Sequence, residues 1–500
     1  MAGTESEPVP STPEPSPAIA WRPILGVALV LTVVLLALST RYGYHRDELY
    51  FLVAGRHLAW GYPDQPPLTP FLAWTMNGIG HGSLIVFRLP AALAAAAVTL
   101  LTALMARDLG GGRFAQALAA VTMALSTYVL LSGHLLVTST IDLLVWVTVT
   151  WLVLRILRGG DPRLWLAVGV TTGLGFLNKE LPIVLLLGLL VGVLLTPSAR
   201  GALRSPWLWG GMAIAAAMWA PVLLWQADHG WPQFTLAGQI RDEYGSVGQR
   251  IGFFALQIVL FSIGAAYLWI TGVTHLWRDE AWRTYRVFAW AWLFVLIFFV
   301  ITAGQGYYPS GTYPVLIAAG AVVFERRPRH RGIVRVVVIS SILLLPAALP
   351  ILPASTLSDS PWSGPGETQL ETVGWPHLVD VVAAAYATIP AAERDHAGVF
   401  TANYGEAGAV DRFGPAHGLP RAYSGHNGYG LWGPPPPDTG PVVVVWEDGP
   451  PSDFFDGCKA FERITGPVSN EETDRTSVYV CSGPINGWAS AWPDLVHLSS

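Results

Sequence analysis

Runs of apolar residues near the length of a membrane span recur through the first 353 residues, and this repetition limits the fold more than anything else in the chain. A helix needs about 20 apolar residues to cross a hydrocarbon core roughly 30 Å thick. Spans are predicted at 20–40, 84–106, 114–132, 135–157, 164–178, 181–196, 207–226, 251–275, 286–303, 312–324 and 333–351, about eleven transmembrane helices. Only 13% of the residues are charged, against about 25% in an average soluble chain, so an ordinary soluble enzyme is excluded. Fifty-two glycines without a period and two cysteines also exclude collagen-like and small disulfide-scaffold classes.

Arginine placement tests the span list independently. Residues 18–353 hold 23 basic and 13 acidic residues. With the N-terminus in the cytoplasm, 16 of those basic residues fall on the inner side, among them Arg107, Arg158, Arg326, Arg329 and Arg331, while 8 of the 13 acids fall outside. That is the positive-inside bias of a multi-pass protein of the cytoplasmic (inner) membrane. An odd number of spans then leaves the C-terminal tail extracytoplasmic. The basic residues sit between apolar runs rather than in one patch, so nucleic acid is not an expected partner.

Three regions follow: a disordered cytoplasmic N-terminus at 1–19, a transmembrane body at 20–353, and an extracytoplasmic α/β domain at 354–500. The first region is Pro-rich and lacks Lys and Arg, so the first run reads as a retained span rather than a cleaved signal. The tail carries 6 basic and 18 acidic residues. Within it, 376–389 patterns as an amphipathic helix, and 398–401, 442–446 and 478–480 as short strands. Cys458 and Cys481, the only cysteines, both fall in this outward domain, where a disulfide between them is permitted; two free thiols are the alternative.

In a membrane chain, ionisable residues that hydrophobicity does not explain point to function. The first outer loop reads His45-Arg46-Asp47-Glu48-Leu49-Tyr50, then Asp64-Gln65-Pro66-Pro67-Leu68. Adjacent carboxylates on a helix point about 100° apart, so Asp47 and Glu48 cannot both face one substrate; one faces a site while the other caps or braces the loop. Asp142 lies about eight residues into the fourth predicted span, roughly 12 Å from its outer end. Arg88, Lys179-Glu180, His229, Asp242, Glu243, Gln305, Tyr307 and Tyr308 fall on the same side. Cations, carboxylates and aromatics thus converge on the outer face, in a pattern suited to an anionic lipid headgroup and a polar second substrate.

The combination of His45–Tyr50 after the first span, Asp64–Leu68, Asp142, Lys179 and Gly306-Tyr307-Tyr308 resembles glycosyltransferase family 39. This is the GT-C group that includes protein O-mannosyltransferases and lipid A aminoarabinose transferases, and the likeness covers roughly residues 20–330. It implies an α-helical polytopic GT-C fold and transfer of a sugar, with inversion, from a polyprenyl-phosphate donor in the bilayer to an acceptor not specified by the sequence. It implies Asp47 as the base toward the acceptor hydroxyl, with Glu48 and Asp142 as further catalytic candidates. Arg46, Arg88, Lys179, Tyr307 and Tyr308 are the candidates for binding the donor phosphate. Asp64 matches a metal-ligand position of some relatives, so a divalent metal cation enters as a candidate cofactor. Gln65, Gln239 and Gln305 stand where relatives commonly carry Lys, His and Lys, which weakens the metal set and alters the phosphate contacts.

Two other classes are compatible with the composition. A transporter or flippase of lipid-linked or polar substrates would use Asp142 and Arg88 in a cavity, but repeated halves with interrupted helices are not visible. A non-catalytic scaffold presenting the outer domain leaves the loop carboxylates without a task.

Overall fold

The computed structural model describes residues 17–327, 331–466, 468 and 475–499. Residues 1–16 of the expected N-terminal region, Arg329 and the side chain of Arg331 lie outside them. The body begins with α1 (Trp21–Leu38), α2 (Arg46–Ala54), α3 (Leu68–Gly80), α4 (Leu84–Phe87) and α5 (Leu89–Asp108). It continues through α6 (Arg113–Ala124), α7 (Thr127–His134), α8 (Thr138–Leu157), α9 (Leu164–Phe176) and α10 (Pro182–Leu195). Then come α11 (Pro206–Asp228), α12 (Pro232–Tyr244), α13 (Val247–Val259), α14 (Ile263–Arg278), α15 (Arg286–Thr302), α16 (Tyr313–Glu325), α17 (Arg331–Ile342) and α18 (Leu345–Ala348).

Every predicted apolar run is helical, but they are not alike. Five helices among the described residues are long and apolar enough to cross a membrane, seven if each bent pair counts as one. The runs predicted at 114–132 and 251–275 are broken, by 58° between α6 and α7 and by 95° between α13 and α14. The last run ends at Ile342 and resumes as the short α18. Polar residues set the two breaks. Ser126 caps α7 by accepting the Val129 N–H, and Ser262, with φ 72°, caps α14 by accepting the Ala265 N–H. Helix α16 is buried all round from Tyr313 to Phe324, as a core helix apolar on every face must be.

The C-terminal region contributes α19 (Ala354–Ser358), α20 (Glu367–Leu370), α21 (Trp375–Ala387), β1 (Gly398–Thr401), α22 (Tyr404–Phe413), β2 (Ala422–Ser424), α23 (Gly428–Leu431) and β3 (Val442–Glu447). After these come β4 (Phe455–Asp456), β5 (Lys459–Arg463), β6 (Thr476–Cys481), β7 (Gly483–Pro484) and α24 (Trp488–Leu495). A five-stranded sheet runs β2-β1-β3-β6-β5, parallel at β1–β2 and β1–β3 and antiparallel beyond. Its central strand Val442–Val445 is fully buried, consistent with helices covering both faces. Cys458 and Cys481 form a disulfide. One apolar cluster joins this domain to the body, with Leu49, Tyr50 and Val53 of α2 packing among Trp375, Leu378, Tyr404 and Val410.

Candidate active site

Helix α2 begins with a capping box. In its neutral form the His45 ring accepts the Asp47 N–H at 3.2 Å, while Glu48 Oε2 accepts the His45 N–H at 2.9 Å, meeting two N–H groups that would otherwise lack helical partners. Glu48 is fully buried. Its two oxygens also accept Arg88 Nε at 2.8 Å, Arg88 Nη2 at 2.6 Å and the Leu136 N–H at 2.9 Å. Arg88 in turn donates to the carbonyls of Ser39 and Gly43 and to His134. Glu48 and Arg88 therefore form a buried pair that ties the end of α1, the first loop and α7 together. Neither is among the residues that line the cavity holding Asp47.

Asp47 points the other way, as helical geometry requires. Its side chain is 32% exposed and stands where two lobes of one cavity meet, of about 400 and about 230 Å³. Arg46, Asp47, Thr138, Gln305 and Tyr307 line both lobes. The smaller lobe also contains Asp64, Gln65, Asn178, Lys179 and Tyr308, and the larger one His45, Glu243, Glu367 and Glu371.

The backbone around these groups is pinned by buried polar contacts. Asn178 accepts the Thr69 hydroxyl at 2.7 Å and donates to the Thr138 carbonyl at 2.8 Å, which fixes Lys179 between α3 and α8. The Lys179 ammonium lies 5.3 and 4.9 Å from the ring centroids of Tyr307 and Tyr308, within cation–π range. The loop carrying those tyrosines is held by Gln257, whose amide donates to the Gly306 carbonyl at 2.7 Å, and Tyr307 stacks on Tyr128.

Helix α8 starts at Thr138, so Asp142 is one turn in, about 6 Å along the axis. It accepts the Trp146 indole N–H at 3.0 Å and lies within electrostatic range of Lys179, behind the cavity wall rather than in it.

Electrostatics separate the remaining groups. His45 Nε2 meets Glu371 Oε2 at 2.8 Å. Burial alone would lower the His45 pKa, but the Glu371 hydrogen bond and the charges of Asp47 and Glu371 outweigh it and hold it above the usual value. Burial would raise the Glu371 carboxyl, but the same partner and Arg46 hold it below its usual range. The Asp64 carboxyl is pushed up to about 7, chiefly by burial, against the Tyr50 hydroxyl that donates to it at 2.9 Å. Asp64 is a poor metal centre. Among the described residues no three His, Cys, Asp or Glu side chains gather to hold an ion, and the residue at the expected histidine position is Gln239. The residues present do not fit a divalent cation.

Sequence reasoning missed Tyr404, Asn427 and Ser499 of the C-terminal domain, which all line the smaller lobe. No spacing rule reaches across the 357 residues between Asp47 and Tyr404.

The arrangement can be set beside known proteins. Residues 64–225 match a family model described as dolichyl-phosphate-mannose-protein mannosyltransferase; the segment contains Asp64, Asp142 and Lys179 and begins after Asp47. The fold matches the crystal structure of ArnT from Cupriavidus metallidurans bound to undecaprenyl phosphate, with a TM-score of 0.60 at 16% identity over 91% of this chain and 97% of that one. The chain has an ArnT-like fold, and residues 64–225 resemble that mannosyltransferase family. The apo form of the same ArnT matches this chain with a TM-score of 0.60 at 15% identity, over 91% and 96% of the two chains. A comparison with curated protein sequences finds no match. The likeness to ArnT takes in the C-terminal domain as well as the helices, so the helical body and the C-terminal domain form one architecture.

Proposed function

We propose that the protein is an inverting glycosyltransferase that moves a sugar from a polyprenyl-phosphate donor to an acceptor hydroxyl at the outer face of the cytoplasmic membrane. The observation that carries this reading is Asp47, an accessible carboxylate at the junction of two lobes, one of which contains Lys179 between two tyrosines. The donor phosphate occupies the Lys179 lobe, with Arg46, Tyr307 and Tyr308 around it, and the sugar's anomeric carbon lies at the junction. The acceptor enters from the larger lobe. Its hydroxyl oxygen bonds to the anomeric carbon as the hydroxyl proton passes to Asp47, which acts as general base. The carbon–oxygen bond to phosphate breaks on the opposite face, and its electron pair leaves with the polyprenyl phosphate. Lys179 and the tyrosine hydroxyls stabilise that developing charge. Asp142 acts through Lys179, and Glu48 with Arg88 holds the helix that presents Asp47. The placement of Lys179 and Arg46 beside Asp47 supports a charged lipid donor. The disulfide in the domain that covers the cavity supports an oxidising outer compartment.

The test is sugar transfer by the purified full chain. The probes are radiolabelled undecaprenyl-phosphate arabinose, mannose, galactose and galacturonic acid, with isolated cell envelope as acceptor. One donor is expected to give transfer, and Asp47→Asn to reduce it by about 10²–10⁴-fold, the usual contribution of a positioned base. Full activity in Asp47→Asn would remove Asp47 from the role of base. Donor uptake into proteoliposomes with no new glycosidic product would replace the reading with transport.

A further inference from the structure

We propose that the C-terminal domain is a working wall of the catalytic centre and that Tyr404 is a positioning residue for Asp47, an inference that rests on the transfer reaction above. The Tyr404 hydroxyl donates to Asp47 Oδ1 at 2.8 Å. Nothing about this contact is loose. Tyr404 is the first residue of α22, whose start is fixed by a capping box between Asn403 and Glu406. Its ring is buried against Tyr50 and His426, at centroid distances of 5.0 and 4.6 Å.

The helix register follows from two glycines. A Cβ on Gly405 would come 2.8 Å from Arg46 Cβ, and one on Gly408 would come 2.9 Å from the Leu49 backbone. Helix α22 therefore lies directly on α2, and the Tyr404 hydroxyl is carried to one place beside the carboxylate. A second, separate contact repeats the relation. The Gly428 N–H donates to the Tyr50 hydroxyl oxygen at 3.1 Å, and that hydroxyl donates to Asp64 at 2.9 Å. Asp47 and Asp64 are thus both held through the C-terminal domain, and Asn427 and Ser499 help line the lobe that contains them.

The chemical consequence concerns the two carboxylate oxygens. Oδ1 accepts the Tyr404 hydroxyl, and Oδ2, which lies 3.9 Å from His45 Nδ1, is the oxygen assigned to receive the acceptor's proton. The Tyr404 hydroxyl fixes the plane of the carboxylate and so its aim at the acceptor. A base misplaced by about 1 Å can lose about 10²-fold in rate. Tyr404 lines the same lobe as Lys179, but its hydroxyl donates to Asp47 rather than to the donor phosphate, so removing the hydroxyl alters the chemical step more than donor affinity.

The experiment compares purified full-length wild type, Asp47→Asn and Tyr404→Phe with the radiolabelled undecaprenyl-phosphate sugars and envelope acceptor, recording kcat, donor KM and melting temperature. Tyr404→Phe keeps the ring contacts and loses only the hydroxyl. The expected result is a 10- to 100-fold fall in kcat, a donor KM within twofold of wild type and an unchanged melting temperature. Wild-type kcat in Tyr404→Phe overturns the inference, as does a rise in KM alone or a loss of kcat that tracks a lowered melting temperature. Activity in the wild type and its loss in Asp47→Asn keep the transfer reading intact in each of those cases. Absence of transfer from every donor by the wild type removes the reading and the inference together.

Discussion

Asp47 and Glu48 are neighbours in sequence and identical in charge, yet one faces the cavity and the other is walled in by Arg88 and two backbone N–H groups. The difference is rotational, because one residue along a helix turns the side chain by about 100°. The sequence could show that the two acids divide their tasks; which one took which depended on Arg88, a residue 40 positions away in the chain. His45 and Glu371 carry a residue-scale prediction. The His45 pKa lies above its ordinary value of 6.5, so its stabilisation is fully present below pH 6.5 and is lost as pH rises through the native value. The Glu371 pKa lies below 4.5, so its stabilisation is present above pH 4.5 and is lost as pH falls through the native value. The pair contributes most between about pH 4.5 and 6.5. Glu371→Gln should therefore lower the melting temperature more at pH 5.5 than at pH 9 in detergent. An equal loss at both pH values would show that the ionised pair is not the source.

At the scale of elements, helices were legible and their breaks were not. Apolar content summed over 20 residues locates each membrane helix, but the 58° and 95° bends depend on single serines, Ser126 and Ser262, that such a sum averages away. The same holds for helix starts: Asp142 is one turn into α8 because residues 135–137 are extended or capping rather than helical. Among the candidate residues, Asp47, Lys179, Tyr307 and Tyr308 were readable from motif and order. Tyr404 was not, since a tyrosine at the start of a helix in an α/β domain reads as core. The α2–α22 contact makes a prediction at this scale. Gly408→Val places a branched side chain against the Leu49 backbone, so the two helices must separate and carry Tyr404 from Asp47. Transfer should fall by about 10- to 100-fold, in line with the cost of small misplacements, while the Cys458–Cys481 disulfide still forms. Undiminished transfer in Gly408→Val would mean that the helix contact does not set the site.

At the scale of the whole molecule, the tail's composition marked it as a separate outward domain, and its own helix and strands fall where the patterning puts them. Its relation to the body was not legible, because the contacts that join them bring the first 70 residues against residues beyond 370. In the proposed reaction the donor's charge lies on one side of Asp47 and the acceptor approaches from the other, beside the C-terminal domain that lines the cavity. In that reaction one carboxylate serves a single displacement, without a covalent sugar intermediate. The most direct measurement is the anomeric configuration of the transferred sugar, read by NMR on the product of the purified full chain with an undecaprenyl-phosphate sugar of known configuration. The account predicts a product of opposite configuration to the donor; a product that retains the donor's configuration would contradict it.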